Sequence, residues 1–429
     1  MHPSEKADLS LLRRVLITGL GCVSPCGTGT EQLWRSVTTG VSGIRRIACF
    51  DPSPYASQVA GEVIDFNPED FLARREVQAF SRYVHFGIAA ARLAWGDADR
   101  LGEDYDRDRV GVFIGSSVGA ISRNVTDGLA FAEKGIDRVH PMCPLQYPGS
   151  LPAEAAIALG LRGPAYSLST ACTASADAAG LAFAQISAGT LDAAIVGGSE
   201  APIFPLLFAA FDRLHVVSRL NEPASQASRP FSRDRDGFVL SEGAAMLVLE
   251  AEHVAERRGA RVYAELAGFG ATSDAHHHLQ PAPDGEQAAR AITMALQSAG
   301  VSADEVDYVN AHGTSTSKND ATETLVLKRV FGQRAYDIPI SSSKSMLGHM
   351  IGASAAIELM ISALAIYNDV VPPTINLTTP DPECDLDYVT DGARLLPVRI
   401  ALSPSFGFGS RNAALVVRKW NSEGSNDRR

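Results

Sequence analysis

The chain has no excess of basic residues. Its 429 residues include 38 Lys and Arg against 49 Asp and Glu, so the formal net charge is −11. Nucleic-acid binding depends on basic surfaces that neutralise phosphates. We therefore expect no nucleic acid among the partners of this protein.

The chain also lacks an uncharged apolar stretch long enough to cross a membrane. The apolar segment 201–211 is too short and contains two prolines. Residues 1–14 are polar and charged, without the apolar centre of a secretory signal peptide. These features predict a cytoplasmic protein that does not enter the membrane.

Paired cysteines are missing as well. No C-x-x-C pair and no cluster with zinc-ligand spacing occurs among the six cysteines, which are Cys22, Cys26, Cys49, Cys143, Cys172 and Cys384. Disulfides are not expected in a reducing cytosol.

The histidine run 276–278 cannot easily converge on one tetrahedral ion, because its members are adjacent. We predict no metal site and interpret the run as a loop that lines an entrance.

Buried strands alternate with helices along the chain. Residues 14–19, 110–115 and 193–197 are short apolar runs that end at glycine, and helical patterns cover 80–97 and 153–159. This alternation predicts an α/β architecture with a mostly parallel sheet.

The sequence shows signs of an internal duplication. Two similar apolar strands, 243–250 and 412–418, each follow a glycine-bearing loop. Each half also contains a long helix rich in small residues, one beginning near Cys172 and one running from about 350 to 367. A pseudo-twofold axis between the halves would bring Cys172 and His349 into one site.

Cys172 is the strongest candidate nucleophile. It precedes a run of small residues, 174–188, that predicts a tightly packed helix ending at Gly189. The positive end of the helix macrodipole favours a thiolate over a thiol, and this is one way to make a cysteine nucleophilic. A buried small hydrophobe is the alternative interpretation of a lone cysteine.

Three further motifs carry polar groups at predicted strand or helix ends. They are 309–316 (VNAHGTST) followed by Asp320, 341–349 (SSSKSMLGH), and 405–410 (SFGFGS). A histidine at a strand end lies where active-site loops of α/β folds concentrate. The glycines of the third motif allow backbone N–H groups to approach a ligand closely. Each motif is weak alone, but the combination is highly specific.

Together these motifs resemble the beta-ketoacyl-acyl-carrier-protein synthases of the thiolase superfamily, in their elongating Cys-His-His branch. The resemblance covers nearly the whole chain and includes 15–21, 234–240, 310–316, 344–349, 371–376 and 405–409. It implies a duplicated thiolase-like fold in five layers, α-β-α-β-α, and a dimer. The corresponding boundaries are 13–265 for the half with the nucleophile, 266–419 for the half with two histidines, and 420–429 for a polar tail.

The resemblance also implies a reaction. Cys172 would accept an acyl chain from the phosphopantetheine of acyl carrier protein. His312 and His349 would be neutral hydrogen-bond donors to the malonyl thioester oxygen while carbon dioxide leaves, and a helix N-terminus would lower the pKa of His349. The backbone N–H groups of Cys172 and Phe408 would form the oxyanion hole, and Phe408 would gate the acyl and malonyl sites. No cofactor is expected, because the substrates are carried on phosphopantetheine.

Supporting residues follow from the same resemblance. Lys344 and Glu358 match a buried pair that orders the histidines and a water, and Asp320 matches a supporting carboxylate. The hydroxyls of Thr314 and Thr316 match groups that bind the phosphopantetheine arm. Acidic acyl carrier protein would meet a basic patch formed by Arg74, Arg75 and Arg213, for which ordinary surface charge is the alternative interpretation.

The sequence departs from the fatty acid elongation pattern in several places. Ser410-Arg411 replaces the usual Gly-Thr of the gate loop, and Leu279-Gln280 replaces a threonine that often holds phosphopantetheine. Segments 199–203, 318–320 and 380–389 resemble the alpha ketosynthase subunit of type II polyketide systems, which pairs with a cysteine-less sister chain, the chain length factor. Fatty acid and polyketide or polyene assembly are nearly balanced, with a slight preference for the second.

Three alternatives differ in testable ways. A homodimer would favour fatty acid elongation, and a heterodimer with the cysteine-less homologue would favour polyketide assembly. A catalytically inert subunit that only sets chain length is disfavoured, because such chains lose the nucleophile. Initiating ketosynthases have Asn in place of His349, and thiolases need a second catalytic cysteine near the late glycine loop; neither feature occurs here.

Overall fold

The computed structural model describes residues 12–101 and 105–421. Residues 1–11 and 102–104 and most of the predicted tail 420–429, from 422 onward, lie outside the described residues. The strands are β1 (Val15–Ser24), β2 (Gly27–Thr28), β3 (Arg45–Arg46), β4 (Val59–Ala60), β5 (Val110–Gly115), β6 (Ala165–Leu168), β7 (Ala193–Glu200), β8 (Gly243–Ala251), β9 (Ala264–Ser273), β10 (Tyr308–Asn310), β11 (Ile340–Ser341), β12 (Val370–Val371), β13 (Arg394–Leu395), β14 (Ile400–Gly407) and β15 (Arg411–Arg418). The helices are α1 (Thr30–Thr39), α2 (Arg74–Ala79), α3 (Arg82–Asp97), α4 (Ile121–Lys134), α5 (Ser150–Leu159), α6 (Ala174–Ser187), α7 (Pro205–Arg213), α8 (Glu252–Arg257), α9 (Glu286–Ala299), α10 (Ser317–Phe331), α11 (Lys344–Leu347) and α12 (Ser354–Asn368).

The sheet order reveals the duplication. In the first half the strands run β1-β8-β7-β5-β6, and in the second half they run β9-β15-β14-β10-β11. In both halves the first two pairings are antiparallel and the last two are parallel. A short antiparallel pairing of β1 with β9 joins the two halves. The predicted α/β architecture is confirmed, but the prediction of a mostly parallel sheet is wrong. The sheet is mixed, because the strands at the centre pair antiparallel and only the outer strands of each half pair parallel.

Two helices form the central layer. Helix α6 contacts β5 and β7 of its own half and β9 and β15 of the other, and α12 contacts both β14 and β7. Helices α3 and α5 cover the outer face of the first half, while α9 and α10 lie outside the second. This arrangement gives the predicted layers α-β-α-β-α.

Residues 351–368 are long and apolar enough to cross a membrane, but 89% of this segment is buried inside the protein. The buried Glu358 lies within it. The segment is therefore a core helix of the central layer, and its apolar character comes from contacts with both half-sheets.

The two central helices begin in the same way. A 3-10 turn at Ala171–Thr173 precedes α6, and a 3-10 turn at Ile351–Ala353 precedes α12. Ala171 and Ile351 both have a positive φ, of 56° and 46°. Helix α12 thus begins at Ser354, four residues later than predicted, because these turns interrupt regular helical geometry at the centre of the protein.

Candidate active site

Cys172 lies in the 3-10 turn at the start of α6, and its side chain is buried. Burial raises the pKa of its thiol to about 11, although the Lys344 ammonium and the backbone N–H of Phe408 lower it. The prediction that the helix dipole makes Cys172 a thiolate is therefore wrong for this structure. The loss of solvation on burial exceeds the opposing effects of Lys344 and of the Phe408 N–H, so the resting group is a thiol.

His349 is the immediate neighbour of this thiol. Its Nε2 lies 3.1 Å from Cys172 Sγ, and its Nδ1 lies 2.8 Å from Ser354 Oγ. Burial is the main reason that the pKa of His349 lies well below its usual value, and the charge of Lys344 lowers it further. The ring is therefore neutral, as predicted, although burial rather than a helix terminus is the main cause. A neutral ring can accept the thiol proton at Nε2 while Nδ1–H donates to Ser354.

His312 completes the group from the loop after β10. Its ring lies edge-on to that of His349, with 5.4 Å between centroids. Burial, followed by the charges of Lys344 and His349, lowers the pKa of His312 well below its usual value. Lys344 Nζ lies 3.4 Å from His312 Nδ1. Since an ammonium can only donate, Nδ1 accepts and the ring proton lies on Nε2.

The thiol and the two rings form one cluster. A ligating atom from each of Cys172, His312 and His349 lies within 4.8 Å of the others. Within 12–101 and 105–421 it is the single group of three such residues that could hold a metal ion. The adjacent Lys344 ammonium would repel a divalent cation, and the cluster suits proton transfer and hydrogen-bond donation better than metal binding.

Lys344 is itself held by a buried ion pair with Glu358. Burial raises the pKa of Glu358 to about 7 against the opposing effect of the Lys344 charge. Glu358 Oε2 has no protein hydrogen-bond partner among the described residues. This oxygen is free to accept a hydrogen bond from water, and the role of the pair in ordering the histidines stays a prediction.

The loop after β14 closes over Cys172. A Cβ added to Gly407 would lie 3.2 Å from the backbone nitrogen of Cys172, so the loop and the turn are in near contact. The backbone N–H of Phe408 is directed at the Cys172 sulfur. Phe408 also lines the cavity above the cluster. An oxyanion hole from the N–H groups of Cys172 and Phe408 stays a prediction, and this geometry favours it.

A cavity of about 360 Å³ leads from this cluster to the surface. Thr314 and Thr316 line it, with their hydroxyl oxygens 2.9 Å apart. Leu279 and Gln280, which directly follow the histidine run, also line it. None of the three histidines lines the cavity, so the role of the run 276–278 at an entrance stays a prediction.

Comparisons with known proteins agree with this geometry. The family model for the beta-ketoacyl synthase N-terminal domain matches residues 12–255, and the model for the C-terminal domain matches 263–378. The chain belongs to the beta-ketoacyl synthase family. Two proteins named 3-oxoacyl-(acyl-carrier-protein) synthase 2 are similar to it over nearly their whole lengths. The protein of Synechocystis sp. is 43% identical, and the match covers 95% of this chain and 98% of the relative. One of Staphylococcus aureus is 41% identical, and the match covers 96% of this chain and 100% of the relative.

Solved structures of ketosynthases are similar as well. One is the AntDE:AntF complex of a type II PKS acyl-carrier protein with its ketosynthase bound to the hexaketide, with a TM-score of 0.89 and 35% identity over 95% of this chain and all of that one. Another is the ishigamide ketosynthase/chain length factor, with a TM-score of 0.86 and 34% identity over 96% and 100%. Both of these solved ketosynthases share the fold of this chain.

Sequence reasoning missed Glu323, a buried carboxylate of this ketosynthase. Its two oxygens accept the backbone N–H groups of His312 at 2.7 Å and Gly313 at 2.8 Å. Asp320, the predicted supporting carboxylate, instead accepts the N–H of Phe231 at 2.9 Å and lies 3.5 Å from Arg235. The available signal was the spacing of three between Asp320 and Glu323, which places both on one face of α10.

The three arginines predicted to bind acyl carrier protein differ in their relation to the cavity. Arg213 is exposed at the end of α7, between Phe211 and Leu214, which both line the cavity. Arg74 and Arg75 are exposed at the start of α2 and do not line the cavity. The geometry favours Arg213 as a contact near the entrance, and the role of all three stays a prediction.

Proposed function

We propose that this chain catalyses the decarboxylative Claisen condensation of a malonyl thioester on acyl carrier protein with an acyl chain held on Cys172. The product is a 3-oxoacyl thioester two carbons longer. The observation that carries the proposal is the 3.1 Å contact between Cys172 Sγ and a neutral imidazole, with His312 in the same cavity.

The first step is acyl transfer. Cys172 Sγ attacks the thioester carbonyl of the carrier-bound acyl group, and its proton passes to Nε2 of His349. One C–S bond forms at Cys172, and the C–S bond to phosphopantetheine breaks. The departing carrier sulfur takes the proton, so the enzyme is acylated and both rings are neutral again. The pKa of the thiol, about 11, makes this proton acceptor necessary.

The second step is decarboxylation. The bond between the malonyl methylene carbon and its carboxylate breaks, carbon dioxide leaves, and the electron pair forms an enolate. The enolate oxygen accepts hydrogen bonds from Nε2 of His312 and of His349. For His349 this requires its ring proton to exchange with water from Nδ1 to Nε2, after which Nδ1 accepts from the Ser354 hydroxyl. Fixed donors in a buried site stabilise this charge where it develops.

The third step forms the carbon–carbon bond. The methylene carbon attacks the thioester carbonyl on Cys172, and the tetrahedral oxyanion lies beside the backbone N–H groups of Cys172 and Phe408. Its collapse releases Cys172 as a thiolate, which takes a proton to restore the thiol. Cys172, His312, His349, Lys344 and Phe408 are the proposed catalytic group.

The surface of the first half supports a dimer. Strand β6 lies at the edge of the sheet with Tyr166 exposed, and α4 contains no buried residue. Leu129 and Phe131 of α4 and the nearby Ile136 are exposed apolar side chains. An open strand edge beside such a patch is typical of an interface. We propose either a second copy of this chain or a cysteine-less ketosynthase homologue as the partner.

Purification decides between these two partners. The protein is purified alone and with its genomic neighbours, and the intact complex is weighed by native mass spectrometry. A stable homodimer supports fatty acid elongation, and a heterodimer with a cysteine-less homologue supports polyketide or polyene assembly. Acyl carrier protein as substrate carrier, the absence of a cofactor and a cytoplasmic location are further parts of the proposal, as are halves at 13–265 and 266–419.

The reaction is tested by intact mass. The protein is incubated with acyl carrier protein loaded with an acyl or a malonyl group. The mass of the intact protein shows the acyl adduct on Cys172, and the formation of the 3-oxoacyl product is followed in parallel. Cys172→Ala is expected to abolish both the acyl adduct and the product. Cys384→Ala, which alters a buried cysteine outside the cluster, is the matched control. The absence of an adduct on the unaltered protein would instead support the catalytically inert subunit.

A further inference from the structure

Glu200 is a buried carboxylate that the reaction above does not use. It ends β7, and its side chain is completely buried. No Lys or Arg ion pair to it occurs among the described residues. Its acceptor groups are instead satisfied by backbone N–H groups and one hydroxyl, that of Ser116. Keeping a carboxylate in such a place is costly, because burial raises its pKa to about 7.

The donors to Glu200 come from both halves of the protein. Oε1 accepts the N–H of Ser117 at 2.5 Å and the N–H of Gly352 at 3.3 Å, and Oε2 accepts the N–H of Val118 at 3.2 Å. Ser117 and Val118 follow β5 of the first half. Gly352 belongs to the 3-10 turn before α12 in the second half. One side chain thus bridges the duplicated halves at the centre of the molecule.

Ser117 and Gly352 both lie beside residues that support the reacting groups. Ser117 Oγ donates at 2.7 Å to the carbonyl of Ala171, the residue with positive φ that precedes Cys172. Gly352 lies between His349 and Ser354, whose side chains are hydrogen-bonded. Glu200 therefore contacts the supports of the nucleophile and of its proton acceptor at the same time.

The atoms around the Glu200 carboxylate are closely packed. A Cβ added to Gly352 would lie 2.6 Å from Glu200 Oε1 and 2.8 Å from Ser117 Oγ. A Cβ on Gly198, two residues before Glu200, would lie 2.8 Å from Cα of Ala353. The carboxylate, the Ser117 loop and the second turn therefore meet at close contact.

We propose that Glu200 is a positioning residue that holds the Cys172 turn and the turn after His349 in register, so that the 3.1 Å contact between sulfur and imidazole is maintained. It acts through Ser117 on one side and Gly352 on the other. This inference rests on the proposed condensation and adds to it a link between the two halves of the active site.

The negative charge of Glu200 gives the test a second readout. The charged and titratable groups acting on the Cys172 sulfur are Lys344, which lowers the thiol pKa, Glu200 and Glu358, which raise it, and the neutral rings of His312 and His349. Removing the charge of Glu200 should therefore lower the thiol pKa. A more acidic thiol alone would not slow acyl transfer in the way that a loss of position does.

The decisive variant is Glu200→Gln, which keeps the shape but replaces one acceptor by a donor. We expect acyl transfer to Cys172 to slow by about 10- to 100-fold, the effect of losing hydrogen bonds to a charged group. The midpoint of Cys172 alkylation by iodoacetamide against pH should fall at the same time. Alkylation needs no carrier substrate, so it distinguishes failure of this inference from failure of the proposed reaction, in which the unaltered enzyme would not be acylated at all.

Glu62→Gln is the matched control. Glu62 is also a buried carboxylate that accepts two backbone N–H groups, those of Ala48 and Cys49, both at 2.9 Å. We expect it to leave acyl transfer and the alkylation midpoint unchanged. If Glu200→Gln does not fold, Ser117→Ala removes only the bond to Ala171 and should slow acyl transfer several-fold. Acyl transfer within about twofold of the unaltered enzyme, or a thiol pKa that does not fall in Glu200→Gln, would overturn the proposal.

Discussion

The buried pair of Lys344 and Glu358 offers a prediction that separates stability from catalysis. Lys344→Met removes a cation that is 2% exposed and leaves the Glu358 carboxylate buried without it. Breaking a buried pair from one side costs about 3–5 kcal/mol, because the remaining charge is uncompensated. We expect a loss of this size in the free energy of unfolding, measured by urea denaturation.

The double variant Lys344→Met with Glu358→Gln should regain most of that stability. Both charges are then absent, and neutral side chains of similar shape fill the site. Catalysis should not return with stability, because Met cannot donate to Nδ1 of His312. Without that bond at 3.4 Å the ring is free to carry its proton on Nδ1, which removes a donor from the cavity. The loss of one such donor slows reactions of this kind by about 100-fold or more.

Two assays run side by side decide the matter. Urea denaturation follows stability, and release of labelled carbon dioxide from malonyl carrier protein follows decarboxylation. Lys328→Met is the control, because its pair with Asp385 is partly exposed and should be worth about 0–1 kcal/mol. If the double variant recovered decarboxylation to the level of Glu358→Gln alone, the reasoning would be refuted and Lys344 would have only a structural role.

Three further predictions follow from the same site. His349→Ala should block both acylation of Cys172 and release of carbon dioxide, because it removes the proton acceptor of the first step and a hydrogen-bond donor of the second; acylation at the rate of the unaltered enzyme would show that His349 is not the proton acceptor. Because the pKa values of both histidines lie well below 6.5, decarboxylation by the folded enzyme should show no histidine titration between pH 6 and 8, and a break near 6.5 in its rate profile would contradict neutral rings. Burial raises the pKa of Glu323 to about 8, so ionising this carboxyl group in the folded state opposes folding. The free energy of unfolding should therefore decline as the pH rises from about 4.5 towards 8. Glu323→Gln should reduce this decline, measured as urea midpoints across the same pH range.

The residue patterns were sufficient for an α/β fold with two similar halves, whereas the five layers came from the family resemblance and the mixed sheet was not predicted. Strand and helix alternation, the two similar closing strands and the two small-residue helices all describe the duplicated sheet order that the structure shows. Cys172 and His349 are 177 residues apart, and the symmetry argument alone brought them together before any distance was known. Local pattern succeeds here because each half repeats the same order of strands.

Other features depend on tertiary environment and were beyond local pattern. The protonation of Cys172 follows mainly from its burial, which raises the thiol pKa and which the sequence does not display. Glu200 joins Ser117 and Gly352 over separations of 83 and 152 residues. Neither the depth of burial nor such a bridge leaves a periodic signal in the chain. Glu323 differs, since its place on the same helical face as Asp320 was visible.

The two equivalent turns suggest how duplicated halves came to have different tasks. Ala171 and Ile351 both have a positive φ, and each is the first residue of the 3-10 turn that precedes a central helix. The residues to compare are the second residues of the two turns. In the first half that residue is Cys172, whose side chain enters the cavity. In the second half it is Gly352, where any Cβ would collide with the Glu200 carboxylate. The second turn therefore contributes no side chain at this point, and its neighbour His349 reaches the thiol instead. Of these two equivalent positions, only the first therefore has room for a reactive side chain in this structure.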